Sequence, residues 1–221
     1  MKKFSMFIAA SLLIVGCAGD KATEVTTGDA QEVNEVTEST TYEVGTSSIA
    51  WRGFKSFVVN DEHVGNIGIS DGSLEVSDGK VVGGSVVIDM NSIENTDIED
   101  EGKRGYLVGH LKSQDFFFVD SFPTAQFEIV NVKETEGGAT NSIVVGNLTI
   151  RGITHSIEFP ANITVGDAAV SFSAPTFGID RTKWDVKFHD KDDASIAESL
   201  KEKLIDHTIE LNFDLNATYT M

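Results

Sequence analysis

The residues able to do chemistry in this chain are five histidines, one cysteine and a large excess of carboxylates, 35 Asp and Glu against 17 Lys and Arg. None of His63, His110, His155, His189 and His207 stands at the H-x-H or H-x-x-x-H spacing that would set two imidazoles on one face for a metal. His189 precedes Asp190, Asp192 and Asp193, which is either an improvised cation site or, as such runs ordinarily are, a solvated acidic loop. His63 and His110 either meet at one end of the fold around a polar head group or metal, or hydrogen-bond to backbone at loop corners. Arg181 and Lys183 beside Trp184 could contact an anion, but an arginine here more readily ties down Asp180 or Asp185. Asp97, Glu99, Asp100 and Glu101 form a run in a polar stretch and read as a solvated face. There is no G-x-S-x-G elbow and no glycine-rich phosphate loop before a helix. No catalytic residue, cofactor or metal is therefore expected, and the chain reads as a non-enzyme.

The lone cysteine has a different use. Lys2 and Lys3 precede a short apolar run, Met6 to Val15, followed by Gly16 and Cys17. Such a run is too short to span a bilayer and has the anatomy of a signal peptide. Gly16-Cys17 resembles a bacterial lipobox, which implies cleavage after Gly16 and a lipid on Cys17. The expected organisation is a signal peptide at 1–16, an acidic disordered tether at 17–43 and one domain at 44–221. The tether is rich in Thr, Glu, Ser, Val and Asp, too polar to offset the entropy of ordering; the alternative is a β-strand that pairs with something else. A net charge of −18 argues against nucleic acid and against a polybasic membrane patch. One cysteine excludes an intramolecular disulfide.

Period-2 alternation begins near Val44 and continues, with interruptions, to the end. Ile49 and Trp51, then Ile67 and Ile69, hold one parity, and Leu74 and Val76 resume with the other after Asp71-Gly72, which implies a bulge. Ser77-Asp78-Gly79 and Arg151-Gly152 are tight-turn signals. Val86 and Ile88, Phe127 and Ile129, Leu148 and Ile150, Ile157 and Phe159, Val170 and Phe172, and Ile209 to Leu215 continue the pattern. Helices are expected at Gly105–Ser113 and Ala194–Ile205. With no βαβ spacing, the fold class is all-β: an eight-stranded antiparallel lipocalin-like barrel with two short helical insertions. Three consecutive phenylalanines, Phe116, Phe117 and Phe118, fall between the first helix and Pro123, and must plug a core or wall an apolar cavity.

Four pieces, GGSVVIDMNSIENTD (83–97), GHLKSQDFFFVDSFPTAQFEI (109–129), VGNLTIRGITHSIEFPA (145–161) and FGIDRTKWDV (177–186), resemble the YceI family of secreted bacterial proteins in both order and spacing. The resemblance implies a lipocalin-like barrel that holds a long apolar amphiphile, an isoprenoid quinone-like or fatty-chain ligand. Phe118 and Phe122 depart from the family, which tends to carry Asp and Tyr there. Inward parity nominates Trp51, Ile67, Ile88, Phe127, Ile129, Leu148, Phe159, Phe172, Phe213 and Leu215 as lining, with Phe116, Phe117 and Phe118 at a mouth. The expected function is non-catalytic binding of that amphiphile by an envelope lipoprotein, the alternative a structural or stress-response protein with a filled barrel. The expected location is the bacterial envelope, lipid-anchored at the outer membrane facing the periplasm, with a homodimer allowed.

Overall fold

The computed structural model describes residues 22–34, 36, 38–57, 61–195 and 198–219. The signal peptide and Cys17 lie outside the described residues. In chain order the elements are β1 (Thr26–Asp29), β2 (Thr40–Val44), β3 (Ser47–Lys55), β4 (Glu62–Ser77), β5 (Lys80–Asp89), β6 (Glu94–Asn95), α1 (Glu101–Lys112), β7 (Thr124–Glu134), β8 (Ser142–Ile150), β9 (Ile153–Val165), β10 (Ala169–Asp180) and β11 (Ile205–Tyr219).

The wall is a closed antiparallel barrel of eight positions. β2 and β3 together occupy one of them, between β11 and β4; the circuit then runs β4, β5, β7, β8, β9, β10 and back to β11. The tight turns form as their residues dictate. Asp78 and Gly79 both have positive φ, 50° and 74°, the geometry of a two-residue hairpin turn matched to strand twist. The change of face along β4 is a bulge between Ile69 and Asp71, and it swings Leu74 and Val76 back into the interior.

Antiparallel alternation puts the short turns after β4, β7 and β9 at one end. The long connections, including α1 and residues 181–204, gather at the other. A buried cluster built on Leu74, Ile129, Val144, Phe159, Val170 and Phe172 fills the turn end, and a second cluster of Ile67, Ile88, Met90, Ile93, Val119 and Ala125 sits toward the α1 end. α1 starts at Asp100, whose carboxylate accepts the Lys103 N–H at 2.8 Å, and it ends on Lys112. It begins four residues earlier than the apolar pattern suggested, because the cap and not the pattern starts it. The second expected helix contracts to a 3-10 turn, Glu198–Lys203. Acidic Asp190, Asp192 and Asp193 instead form side-chain-capped turns just before it.

The largest departure is at the N-terminus. The stretch expected to be a tether contributes β1 and β2. β9 and β10 pair with each other only from Val165↔Val170 to Asn162↔Ser173, then splay apart. Residues 22–29 fill the gap. Thr26–Asp29 pairs antiparallel with Glu158–His155 of β9, and Glu24 bridges Gly178 of β10 in parallel. The Val25 N–H donates to Gly178 O at 2.8 Å, and the Gly178 N–H to Thr23 O at 3.1 Å. Glu24 accepts from the Thr208 hydroxyl at 2.6 Å, and the Ala22 N–H donates to Glu210 at 2.5 Å. Val25 packs on the main core. A polar strand is stable here because two sheet edges would otherwise be left with unpaired backbone groups, a cost that composition does not report.

A Cβ added at Gly28 lies 3.0 Å from Ser156 Oγ, within reach of a bridging sulfur. Gly28→Cys with Ser156→Cys is expected to oxidise spontaneously to an intramolecular disulfide and to raise the thermal midpoint reversibly with reductant. Thiols that stay free under oxidation would rule out this pairing.

Candidate functional site: a one-ended apolar cavity

The barrel interior holds two unequal spaces. The larger, about 500 Å³, opens at the α1 end. The smaller, about 60 Å³, lies deeper toward the turn end. Ile49, Ile88, Leu148 and Leu211 line both and form the neck between them.

Of the nominated lining residues, Trp51, Ile67, Phe116 and Phe117 face the large cavity and Ile88 and Leu148 sit at the neck. Phe127, Ile129, Phe159, Phe172, Phe213 and Leu215 surround the small space. Phe118 lines neither. Its backbone is left-handed, φ 49°, which turns the ring out of the run and sets it edge-on to Phe122 at 6.0 Å. Phe122 in turn covers Gly152, where a Cβ would come within 3.2 Å of its ring. The two family departures thus pack on each other and not into the cavity.

Several lining residues went unnamed although a signal existed. Ile49 and Leu211 share parity with Trp51 and Phe213, and Met90 with Ile88. Phe188 had no such signal. It lies in an irregular segment, and its ring stands 4.6 Å from that of His110, edge to face.

α1 roofs the mouth, contributing Tyr106, Leu107, His110 and Leu111 to the lining. It buries no residue fully, and Tyr106 is 78% exposed. Gly102, Gly105 and Gly109 weaken it further, at about 1 kcal/mol each against alanine. A Cβ at Gly105 or Gly109 meets nothing within 4 Å. Gly105→Ala with Gly109→Ala is expected to stabilise the protein by about 1–2 kcal/mol in urea melts. It should also slow release of a bound fluorescent amphiphile several-fold. Unchanged release would mean that α1 does not gate the mouth.

Charged and polar groups enter the cavity only near the mouth. His63 and His110 both line it, so the structure brings them to one end. Neither corner reading of them holds, because each faces a carboxylate: His63 Nδ1 is 2.9 Å from Asp97 and His110 Nε2 3.4 Å from Asp115. Burial disfavours the ionised Asp97, but hydrogen bonds from His63, the Val64 N–H and Asn95 outweigh it and hold the carboxyl below the usual carboxylate range.

Arg181 pairs with neither Asp180 nor Asp185. It is 2% exposed and donates to three backbone carbonyls: Asp206 at 2.8 Å, Ile205 at 3.1 Å, and Val186. Burial lowers its pKa, while Asp190, Asp180 and Asp206 pull it back up. A cation thus lies in the cavity wall, its planar donor fork already aimed by the backbone.

His189 does not join the acidic loop; its Nδ1 meets Lys203 O at 3.1 Å. His207 does, with Nε2 at 2.6 Å from Asp190 and 3.6 Å from Asp192. The ligand atoms of Asp190, Asp192 and His207 all lie within 4.8 Å of one another, an arrangement that exposed acidic groups commonly adopt without an ion. Burial works against ionised Asp190, but the Asp192 N–H and His207 prevail and depress its pKa. A depressed folded pKa contributes stability that is present above the ordinary carboxylate pKa, about 4, and lost as pH falls through the lower folded value. Asp190→Asn is expected to lose about 1–2 kcal/mol at neutral pH and progressively less as pH falls below about 4. A loss that does not change with pH would remove the ionic contribution.

The family model for the YceI-like domain matches residues 32–217. The chain belongs to the YceI-like family. The match begins after β1, so the strand that fills the β9–β10 gap lies outside the shared YceI-like region. A UPF0312 protein of Yersinia enterocolitica is 35% identical over 80 residues, 36% of each chain. The matched stretch thus spans about a third of that relative's length. Among solved structures, BcnA of Burkholderia cenocepacia superposes with a TM-score of 0.58 at 19% identity, covering 78% of this chain and 96% of BcnA. A polyisoprenoid binding domain from Saccharophagus degradans superposes with a TM-score of 0.54 at 16% identity, covering 81% of this chain and 98% of that domain. These likenesses support the lipocalin-like barrel expected for the YceI-like family.

Proposed function

We propose that this barrel binds a single-chain amphiphile without chemical conversion, tail inside and polar head at the α1 end. The observation that carries the reading is the one-ended cavity of about 500 Å³, apolar in its depth, with Lys55, Asp61, Glu62, His63, Arg181 and Lys203 at its mouth. Ligand pockets usually have this size and division of polarity. Lys55 pairs with Asp61, Glu62 with Arg52 and His63 with Asp97, and Arg181 donates to three carbonyls, so the mouth is a self-partnered polar rim that suits an amphiphile's head while the depth suits its tail. The Saccharophagus relative, described as a polyisoprenoid binding domain, supports the same ligand class here. In this proposal Cys17 carries a lipid that anchors the protein at the outer membrane, facing the periplasm.

Protein purified from native membranes under mild conditions, extracted and analysed by mass spectrometry, is expected to yield an apolar amphiphile in near-stoichiometric amount. Extracts free of any such molecule would overturn the binding reading and leave a structural role. Cys17→Ser should abolish incorporation of labelled fatty acid; undiminished labelling would remove the anchor.

A further inference from the structure

The interior does more than accept an apolar tail. We propose that it measures one: the neck and the aromatic block beneath it stop a tail after about 15–20 carbon atoms. This rests on the amphiphile-binding reading and deepens it.

Below the neck the turn end is nearly solid. Phe159 stacks on Phe177 at 4.7 Å with planes 5° apart, and Phe127 meets Phe159 at 5.5 Å. Phe213 stands edge-on to Phe172 at 5.2 Å and to Phe159 at 5.9 Å. These five rings leave only about 60 Å³, room for about two methylene-sized groups at about 30 Å³ each. The space above holds about 500 Å³, which on the same scale is on the order of 15–20 such groups. A fatty chain of 16–18 carbons fits, as does an isoprenoid of three to four units. An isoprenoid of eight units needs about twice the space and would have to drive the rings apart. Close-packed aromatic cores resist that, because each displaced ring forfeits its contacts and finds no void to enter. Leu211 sits at the neck, two residues from Phe213 on the same face of β11, and is only partly buried. It is the position where a change of side-chain size should move the stop with least damage to the fold.

The test is a chain-length series read by calorimetry on the purified protein: saturated fatty acids from 8 to 24 carbons, and isoprenols of two, four and eight units. Affinity is expected to rise about fourfold per added methylene up to 16–18 carbons, then to level or fall, with the eight-unit isoprenol bound at least tenfold more weakly than the four-unit one. Leu211→Ala should move the break to longer chains and Leu211→Phe to shorter ones. Opposite shifts from one position cannot come from general loss of folding. Affinity that climbs unbroken to 24 carbons, or an eight-unit isoprenol that binds as well as the four-unit one, overturns the ruler and leaves amphiphile binding intact. Binding by no member of either series overturns the amphiphile reading itself.

Discussion

Arg181→Met is expected to lower the free energy of unfolding by roughly 3–5 kcal/mol, a large share of the stability margin of an ordinary domain. Arg181 is buried in the barrel wall and is the donor for the Asp206, Ile205 and Val186 carbonyls. Methionine restores much of the volume but no N–H group. Each carbonyl left without a donor costs about 1–3 kcal/mol, less where water enters. Arg181 opens the long β10–β11 connection and its acceptors lie within it at Val186 and just past it at Ile205 and Asp206, so the guanidinium ties its two ends together. Arg181→Lys should recover less than half of the loss, because one ammonium cannot reproduce a planar fork spanning three acceptors. Urea melts of the two variants against the parent give the answer; a loss under 1 kcal/mol would show that the carbonyls are satisfied without the arginine.

The largest effect on binding is expected from Ala125→Phe. Ala125 lies opposite Ile88 across the β5–β7 pairing, is buried, and borders the large cavity. A phenyl ring there occupies space that the tail would take. Excluding four methylenes at about fourfold each weakens a 16-carbon amphiphile by at least about 100-fold. Ala125 also belongs to the buried cluster of Ile67, Ile88 and Met90, so the larger ring is expected to cost about 1–3 kcal/mol of stability, short of unfolding the barrel. Calorimetry with palmitate and a thermal melt on the same sample separate the two quantities. Undiminished binding would place the tail outside the barrel.

Much of this fold could be read from residues that report on their own neighbourhood. Alternation along β5, β7, β8 and β11 marked which side chains point inward, and Asp78-Gly79 marked its turn, because side-chain direction and turn geometry are local properties. The bulge near Asp71 showed itself as a change of parity. The N-terminal strand gave no such sign. Thr26–Asp29 is polar and nearly featureless, and it is held by backbone edges more than 100 residues away. Arg181 was misread for a related reason. The carboxylates adjacent in sequence were visible as partners, but the carbonyls brought to it by chain folding were not. Phe118 shows the limit within a motif: three identical residues in a row, one of them rotated away by a positive φ. For the cavity, parity told which residues face inward but not whether they meet across the barrel. The rings do meet at Phe159 and do not at Trp51, and that difference splits the interior into a packed half and an open half.

The strand wedged between β9 and β10 also changes how far this protein can reach. A loose leader of some 25 residues would let the barrel roam many tens of ångströms from an acylated Cys17. With Ala22 fastened to Glu210, the fastening point stands only five positions after the proposed lipid, at most about 17 Å of chain. On that reading the barrel is moored by its flank within about one protein radius of the lipid headgroups. Delivery to a distant acceptor would then need the acceptor to come to the membrane.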